Sequence, residues 1–446
     1  MGNEFLFAGI RIFAPIRNSY CMLDIKFIRE NKDLIALAAK KKRIDFSVDE
    51  LLALDERRRE ILSVVEKKRA EHNQKTEQVS FARDPERRRL LVEELRTQKS
   101  GMEEAEKQLK EILPKWQALM LQVPNIPDMS VPDGADDSEN KEVRTRGQQP
   151  QFSFPAKNHI ELLEGVDALD LLRGGEVSGF RGYFLKNDAA LLSFALWQFA
   201  LEHFMKKGGF MPFIAPSLVR RQTLLGTGYL PQGEADLYKT QDGDYLAGTA
   251  EVAAMAYFAD TTIAEAELPK RTLAFSPCFR REAGSYGKQE KGVYRVHEFY
   301  KLEQVVLCEA NHETSVRFHE ELTKNAEELV QALQIPYRVV INCGGDLGLG
   351  QVKKYDIECW VPSEKKYSET HSSSYFHDFQ TRRLNIRYRD KAGTLRFAHS
   401  LNNTALATPR LLIPLVENNQ QEDGSIIVPE ILRKYMGKET ITPKTK

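Results

Sequence analysis

No apolar stretch in this 446-residue chain approaches the roughly 20 residues that a membrane-spanning helix needs, so no membrane partner is expected. Cysteine is scarce. The five present (Cys21, Cys278, Cys308, Cys343 and Cys359) are scattered, with no CxxC pair and no His–Cys cluster at metal spacing. A disulfide framework and a structural zinc are therefore not expected, and a reducing compartment, the cytoplasm, is the default. Excess charge of either sign is missing too: 64 Lys plus Arg balance 64 Asp plus Glu. Global charge thus says nothing about a nucleic-acid partner, and any basic surface must be local. Neither common nucleotide-binding loop is present, since there is no GxxxxGKS/T and no GxGxxG after a strand. A nucleotide bound here must be held by side chains.

What is present divides the chain, and its length suggests two or three domains. Residues 1–21, with the apolar FLFAGIRIFAPI, lack the charged-then-apolar-then-cleavage order of a targeting peptide and read as an extension ahead of a start at Met22. From Asp49 to Met120 the chain is dense in Lys, Arg, Glu, Gln and Leu. Leu91, Leu95, Gln98, Met102, Ala105, Leu109, Ile112, Trp116 and Leu119 recur at steps of three and four, a seam of about four heptads. Leu51, Leu54, Arg58, Ile61 and Val65 follow the rhythm more loosely, and SFARDPE around Pro85 supplies caps and a helix-start proline. The spacing predicts two helices of about 30 residues in an antiparallel hairpin about 45 Å long. Arg57, Arg58, Arg59, Lys67, Lys68, Arg69, Arg87, Arg88 and Arg89 form basic clusters suited to phosphates. Glutamates interleave them, so taken alone the hairpin fits a spacer or dimerisation coiled coil better than an RNA-reaching arm.

A loop rich in Pro, Asp and Gly follows from Val123, and residues 126–146 read as a linker. Residues 147–436 read as one α+β domain on a mostly antiparallel sheet flanked by helices. KRTLAFSP, YRVVIN, YDIECWVP and FQTRRLNIRYR are its predicted strands, and Ala189–Lys207 and His312–Leu333 its predicted helices. Residues 437–446 read as a frayed tail. Within this domain Ser276–Gln304 predicts a strand, a glycine-bearing loop and a return strand that points Arg295, His297, Phe299 and Glu303 to one face. An arginine there neutralises phosphate, and a phenylalanine stacks on a purine. The glycine-rich NCGGDLGLG reads as a turn between strands, and Cys278 and Cys343 as small core residues.

Phe279-Arg280-Arg281-Glu282-Ala283-Gly284, followed by Arg295-Val296-His297-Glu298-Phe299, resembles the second motif of class II aminoacyl-tRNA synthetases in its seryl version. Thr249-Ala250-Glu251 resembles the serine-recognising loop. GGFMPFIAPSLVRRQTLLGTGYLP, with Pro216, resembles the first motif, and the run from His399 to Arg410 the third. The four motifs stand in order behind the hairpin, and the resemblance to seryl-tRNA synthetases of bacterial type covers Met22–Met436. It implies that residues 22–125 are a tRNA-binding domain with an arm at about 49–120, and that the chain is a homodimer charging tRNA(Ser), and tRNA(Sec) where present, with L-serine.

The resemblance also implies roles. Arg280 would hold the α-phosphate of ATP and the serine carboxylate, and Arg410 the γ-phosphate; these two are the implied catalytic residues. Phe299 would stack under adenine, Glu282 accept from its amine, and Arg295 guide phosphates, with Arg281, Val296, Thr370 and His371 lining the nucleotide site. Glu369, with Ser372 beside it, would hold Mg²⁺ through ATP. Thr249, Ala250, Glu251, Arg280, Glu303, Asn402 and Thr404 would form the serine pocket. His371, Tyr375, Asn403, Thr404 and Pro409 depart from the commonest bacterial pattern but leave the charged set intact, and His371 reads best as a packed ring. Two alternatives stand beside this reading. A ligase charging a carrier protein would lack the long arm, and a non-catalytic RNA-binding relative would have lost Arg280, Glu282 or Arg410.

Overall fold

The computed structural model describes residues 23–283 and 291–444, so the expected extension and start at Met22 lie outside the described residues. Two short helices, Ile25–Glu30 and Lys32–Lys41, precede the hairpin. Its first helix, Val48–Phe81, is capped by the Ser47 hydroxyl, and its second, Pro85–Gln122, by the Asp84 carboxylate with Pro85 in the first turn. At 1.5 Å per residue these run about 50 and 57 Å, longer than the heptads alone suggested. Ile61, Val65, Ala105 and Ile112 form the buried seam of the shaft. Asp55 interrupts it: the carboxylate is buried and accepts from Arg29 at 2.9 Å and from Arg58 at 2.8 Å. Arg58 also stacks 4.5 Å over Trp116, so one of the expected phosphate-facing arginines is committed to the fold. Arg87, Arg88 and Arg89 near the tip are exposed.

The rest of the chain is built on an eight-stranded sheet. In chain order its strands are β1 (Lys141–Arg146), β2 (Met211–Ile214), β3 (Lys270–Phe279), β4 (Glu298–Cys308), β5 (Tyr337–Ile341), β6 (Lys353–Val361), β7 (Lys366–His377) and β8 (His399–Thr408). In space they run β1-β5-β6-β7-β8-β4-β3-β2. Every pairing is antiparallel except that of β2 with β3. The helices Asn187–Lys207 and His312–Ala332 pack against it, and Leu302, Val306, Phe318, Leu322 and Leu406 belong to one continuous apolar core. Three bulges shape the centre: the register of β4 against β8 shifts between Leu302 and Glu303, that of β6 against β7 between Ile357 and Glu358, and that of β7 against β8 between Tyr375 and His377. A bulge adds a residue to one strand and re-aims the side chains beside it.

Three expectations are corrected. The last six residues of the supposed linker, Lys141–Arg146, form an edge strand of the sheet; its exposed, charged residues concealed it, as edge strands often do. FQTRRLNIRYR is a helix, Phe379–Arg383, and then a short strand, Arg387–Arg389. Arg383 stacks 3.8 Å over Phe379 and Arg382 pairs with Asp378 at 2.7 Å, both four-residue spacings that only a helix brings together. The tail is not frayed as far as Ile441: Thr440–Ile441 pairs with Ile426–Ile427, and Ile441 is buried.

The root of the hairpin is fastened to this domain. The buried Lys42 ammonium donates to the carbonyls of Gly348, Leu349 and Gln351 at 3.0, 2.8 and 2.6 Å, and Asn125 donates to those of Gly350 and Phe376. The glycine-rich turn is therefore a seat for the N-terminal region: a Cβ on Gly344 would meet the Lys41 carbonyl oxygen at 2.3 Å.

Candidate active site

Residues of β4, β7 and β8 and the segments flanking β3 and β4 line one cleft. Arg280, Glu282, Arg295, Val296, Phe299, Glu369, Thr370, Ser372, Thr404 and Arg410 all line it. Arg280 follows the last residue of β3; its Nε donates to the Gly248 carbonyl at 3.3 Å, and its guanidinium lies 5.2 Å from the Phe299 ring centre. Glu282 has φ of +56°, the left-handed region that non-glycine residues seldom adopt. Its carboxylate accepts from Arg295 at 2.9 Å and lies 3.6 Å from Arg181.

Arg410, just past β8, donates from Nε to the Tyr294 carbonyl at 3.2 Å and lies 3.6 Å from the Glu369 carboxylate. That wall is braced from behind. The Val293 N–H donates to His159 Nε2 at 3.4 Å, and the His159 backbone N–H donates to Glu417 at 2.8 Å. Gly292 permits the approach, since it has φ of +72° and a Cβ there would meet His159 Nε2 at 2.2 Å. Desolvation alone would raise the Glu369 carboxyl, but the charges of Arg410, Lys354 and Arg280 outweigh it and hold the group below its ordinary range.

A second group of side chains lies deeper. Thr249 caps the helix Ala250–Ala256, accepting the Glu251 N–H at 3.3 Å, and follows the Gly248 carbonyl that takes Arg280. Glu251 is 2% exposed and accepts from Tyr229 Oη at 2.8 Å and Gln380 Nε2 at 2.6 Å. Glu303 is equally buried, faces Thr404 across the β4–β8 ladder, and pairs with Lys301 at 2.6 Å. Burial pushes its carboxyl up to about 7; Lys301 opposes the shift and Glu251 adds to it.

Some expected residues stand apart. Arg281 is exposed, and its backbone N–H donates to the Asp236 carbonyl at 2.8 Å. Ala250 and Asn402 are buried, Asn402 between Val305 and Ser374 of neighbouring strands. His371 is buried beside the cleft, its Nδ1 2.8 Å from Thr370 Oγ1, and burial pushes its pKa down to about 4, so the ring is neutral. His297 corrects the one-face expectation: β4 begins only at Glu298, and the ring lies against the Arg280 carbonyl at 2.9 Å and lines a separate cavity. Lys301, Tyr294, Tyr229 and Gln380 were not singled out from sequence. Lys301 was within reach of strand alternation, two residues before Glu303. Burial pushes the Cys308 and Cys359 thiols up to about 12 and Cys278 above its usual range, which suits inert core residues.

Residues 22–127 match the family model described as the seryl-tRNA synthetase N-terminal domain, and residues 238–419 that of the tRNA synthetase class II core domain (G, H, P, S and T). A serine–tRNA ligase of Deinococcus radiodurans is 46% identical over 93% of this chain and 98% of its own length. The chain belongs to the seryl-tRNA synthetase family. Solved members superpose over nearly the whole molecule. Seryl-tRNA synthetase from Pyrococcus horikoshii, complexed with ATP, is 38% identical with a TM-score of 0.87 over 95% of this chain and 100% of that one. The cytoplasmic serine–tRNA ligase of Naegleria fowleri, in complex with AMP, is 30% identical with a TM-score of 0.82 over 95% and 99%. The class II core of this family is thus the antiparallel sheet described above, and the N-terminal family domain carries the hairpin.

Proposed function

We infer that this chain is a serine–tRNA ligase that activates L-serine with ATP to seryl-adenylate and pyrophosphate, then esterifies the 3′ end of tRNA(Ser). The observation that carries the reading is the gathering of three arginines, an aromatic plate and two carboxylates in one cleft beside the Thr249–Glu251 loop. The serine carboxylate is already ionised at neutral pH, so its attack on the α-phosphate needs no general base. The site's task is alignment and neutralisation of the developing charge.

In this reading Arg280 spans the α-phosphate and the serine carboxylate, Phe299 carries adenine, Glu282 takes its amine, and Arg295 and Arg410 take the outer phosphates. Arg295 must then exchange part of its contact with Glu282 for phosphate. Glu369 and Ser372 offer the hard oxygen donors that Mg²⁺ prefers, and the low pKa of Glu369 suits a cation ligand. Mg²⁺ held there would neutralise phosphate charge. Glu251, Glu303, Thr249 and Thr404 receive the ammonium and hydroxyl of serine, and groups buried for that hydroxyl reject alanine by being left unpaired.

The arm reaches tRNA in this reading, and the exposed tip arginines support it. Assembly as a homodimer is supported by exposed apolar side chains, with Ile214 90%, Phe180 76% and Phe194 64% exposed, the last of them lining a cavity of about 700 Å³. The arm of one subunit then holds tRNA for the other's cleft. Among the described residues no helix is long and apolar enough to cross a membrane, and the cytoplasm is the proposed location. ATP–pyrophosphate exchange with each of the twenty amino acids tests activation, and charging of total tRNA tests transfer. Exchange driven by serine, followed by charging, is expected; exchange without charging would point to a different acceptor.

A further inference from the structure

Glu251 has a neutral donor on each oxygen, and one of the two comes from a segment that none of the recognised motifs contains. Gln380 lies in the short helix Phe379–Arg383 and is 1% exposed. Its amide nitrogen donates to Glu251 Oε1 at 2.6 Å and to the Thr227 carbonyl at 3.1 Å. Its amide oxygen accepts from Ser400 Oγ at 2.7 Å. Turning the amide over would aim its oxygen at a carboxylate and a carbonyl at once, so the orientation is forced. Tyr229 Oη holds the other carboxylate oxygen at 2.8 Å. Each carboxylate oxygen has two lone-pair sites, so these contacts leave further acceptor capacity on Glu251. Ser400 belongs to β8, two residues before Asn402 and four before Thr404. Gln380 therefore ties the Thr249–Glu251 loop to the strand that carries Thr404.

We propose that Gln380 and Tyr229 are positioning residues for amino-acid selection, holding the Glu251 carboxylate in the orientation in which it meets serine. This rests on the reading that Glu251 contacts the substrate. Without the amide donor, the Glu251 carboxylate keeps only the Tyr229 hydroxyl of this pair and can turn about it, and the pocket loses its fixed acceptor. The nucleotide end shares none of these bonds, so the loss falls on serine alone.

The test compares Gln380→Met, Tyr229→Phe and Glu251→Gln in serine-dependent ATP–pyrophosphate exchange on the full chain, with KM for serine and for ATP measured separately and folding checked by thermal melting. Gln380→Met is expected to raise the serine KM by roughly 10- to 100-fold and Tyr229→Phe by about 5- to 10-fold. The ATP KM should stay within about twofold in both. Serine and ATP constants unchanged in folded Gln380→Met, or raised in equal proportion, would overturn the proposal while leaving Glu251 in its place if Glu251→Gln is impaired. A Glu251→Gln variant with an unaltered serine KM would instead overturn the reading of the pocket, and the proposal with it. Should Gln380→Met fail to fold, Tyr229→Phe decides: a rise confined to serine supports the proposal and no rise refutes it.

Discussion

The nucleotide end and the amino-acid end of the cleft are built in opposite ways. Arg410 and Arg295 keep about a quarter of their side-chain surface exposed, and Glu369 nearly half. Arg410 rests on the Tyr294 carbonyl and beside Glu369, and Arg295 on Glu282; long charged side chains with that exposure can close on a polyphosphate. Glu251 and Glu303 are each 2% exposed, Glu251 held by hydrogen bonds from Gln380 and Tyr229 and Glu303 by its ion pair with the buried Lys301. Charge neutralisation tolerates mobile groups, whereas telling serine from alanine or threonine requires groups that cannot move aside.

Arg280 belongs to both ends, and its removal should have the largest effect. Arg280→Ala is expected to lower serine-dependent exchange by about 10³-fold and to weaken both substrates; a loss confined to one would place the arginine at one end. Arg410→Ala should raise the ATP KM by about 10- to 100-fold and leave the serine KM near its starting value, the mirror image of Gln380→Met.

A pH series sharpens the contrast further. With its carboxyl pushed up to about 7, Glu303 is protonated in the free protein at pH 6 and ionised at pH 8. An ammonium prefers the ionised form, so the serine KM should fall about tenfold from pH 6 to pH 8 while the ATP KM changes little. Glu303→Gln should flatten that profile. Stability moves the other way: the folded pKa exceeds the unfolded value of about 4.3, so this contribution is lost as pH rises towards 7. The smallest effect on activation is expected from shortening the arm, by replacing residues 66–104 with a tight turn. Exchange should stay within about twofold while tRNA charging falls about 100-fold. Undiminished charging would return the hairpin to the role of a spacer.

The seam of the arm was legible because burial there follows the 3.5-residue period: every heptad position read from Leu91 to Leu119 is at least partly covered. Asp55 was not, because a buried carboxylate in a seam depends on Arg29, which comes from a different helix. At the site, the cleft residues were read from motif resemblance and the structure gathers most of them in one place. Their buried supports were illegible, since Gln380 lies 129 positions from Glu251 and bonds to it from a separate helix. His297 was misplaced because alternation was extended past the true start of β4, and the helix at Phe379 because its apolar residues mimic a strand when the Phe379–Arg383 pair is overlooked. Edge strand β1 carries charge rather than apolar alternation, and reads as linker until β5 is beside it.

The central claim is that this cleft selects serine, and ATP–pyrophosphate exchange across all twenty amino acids measures it most directly. Robust exchange with serine, with threonine, alanine and glycine far below it, is the predicted result. Exchange with another amino acid in preference to serine, or none with serine from folded protein, would contradict it.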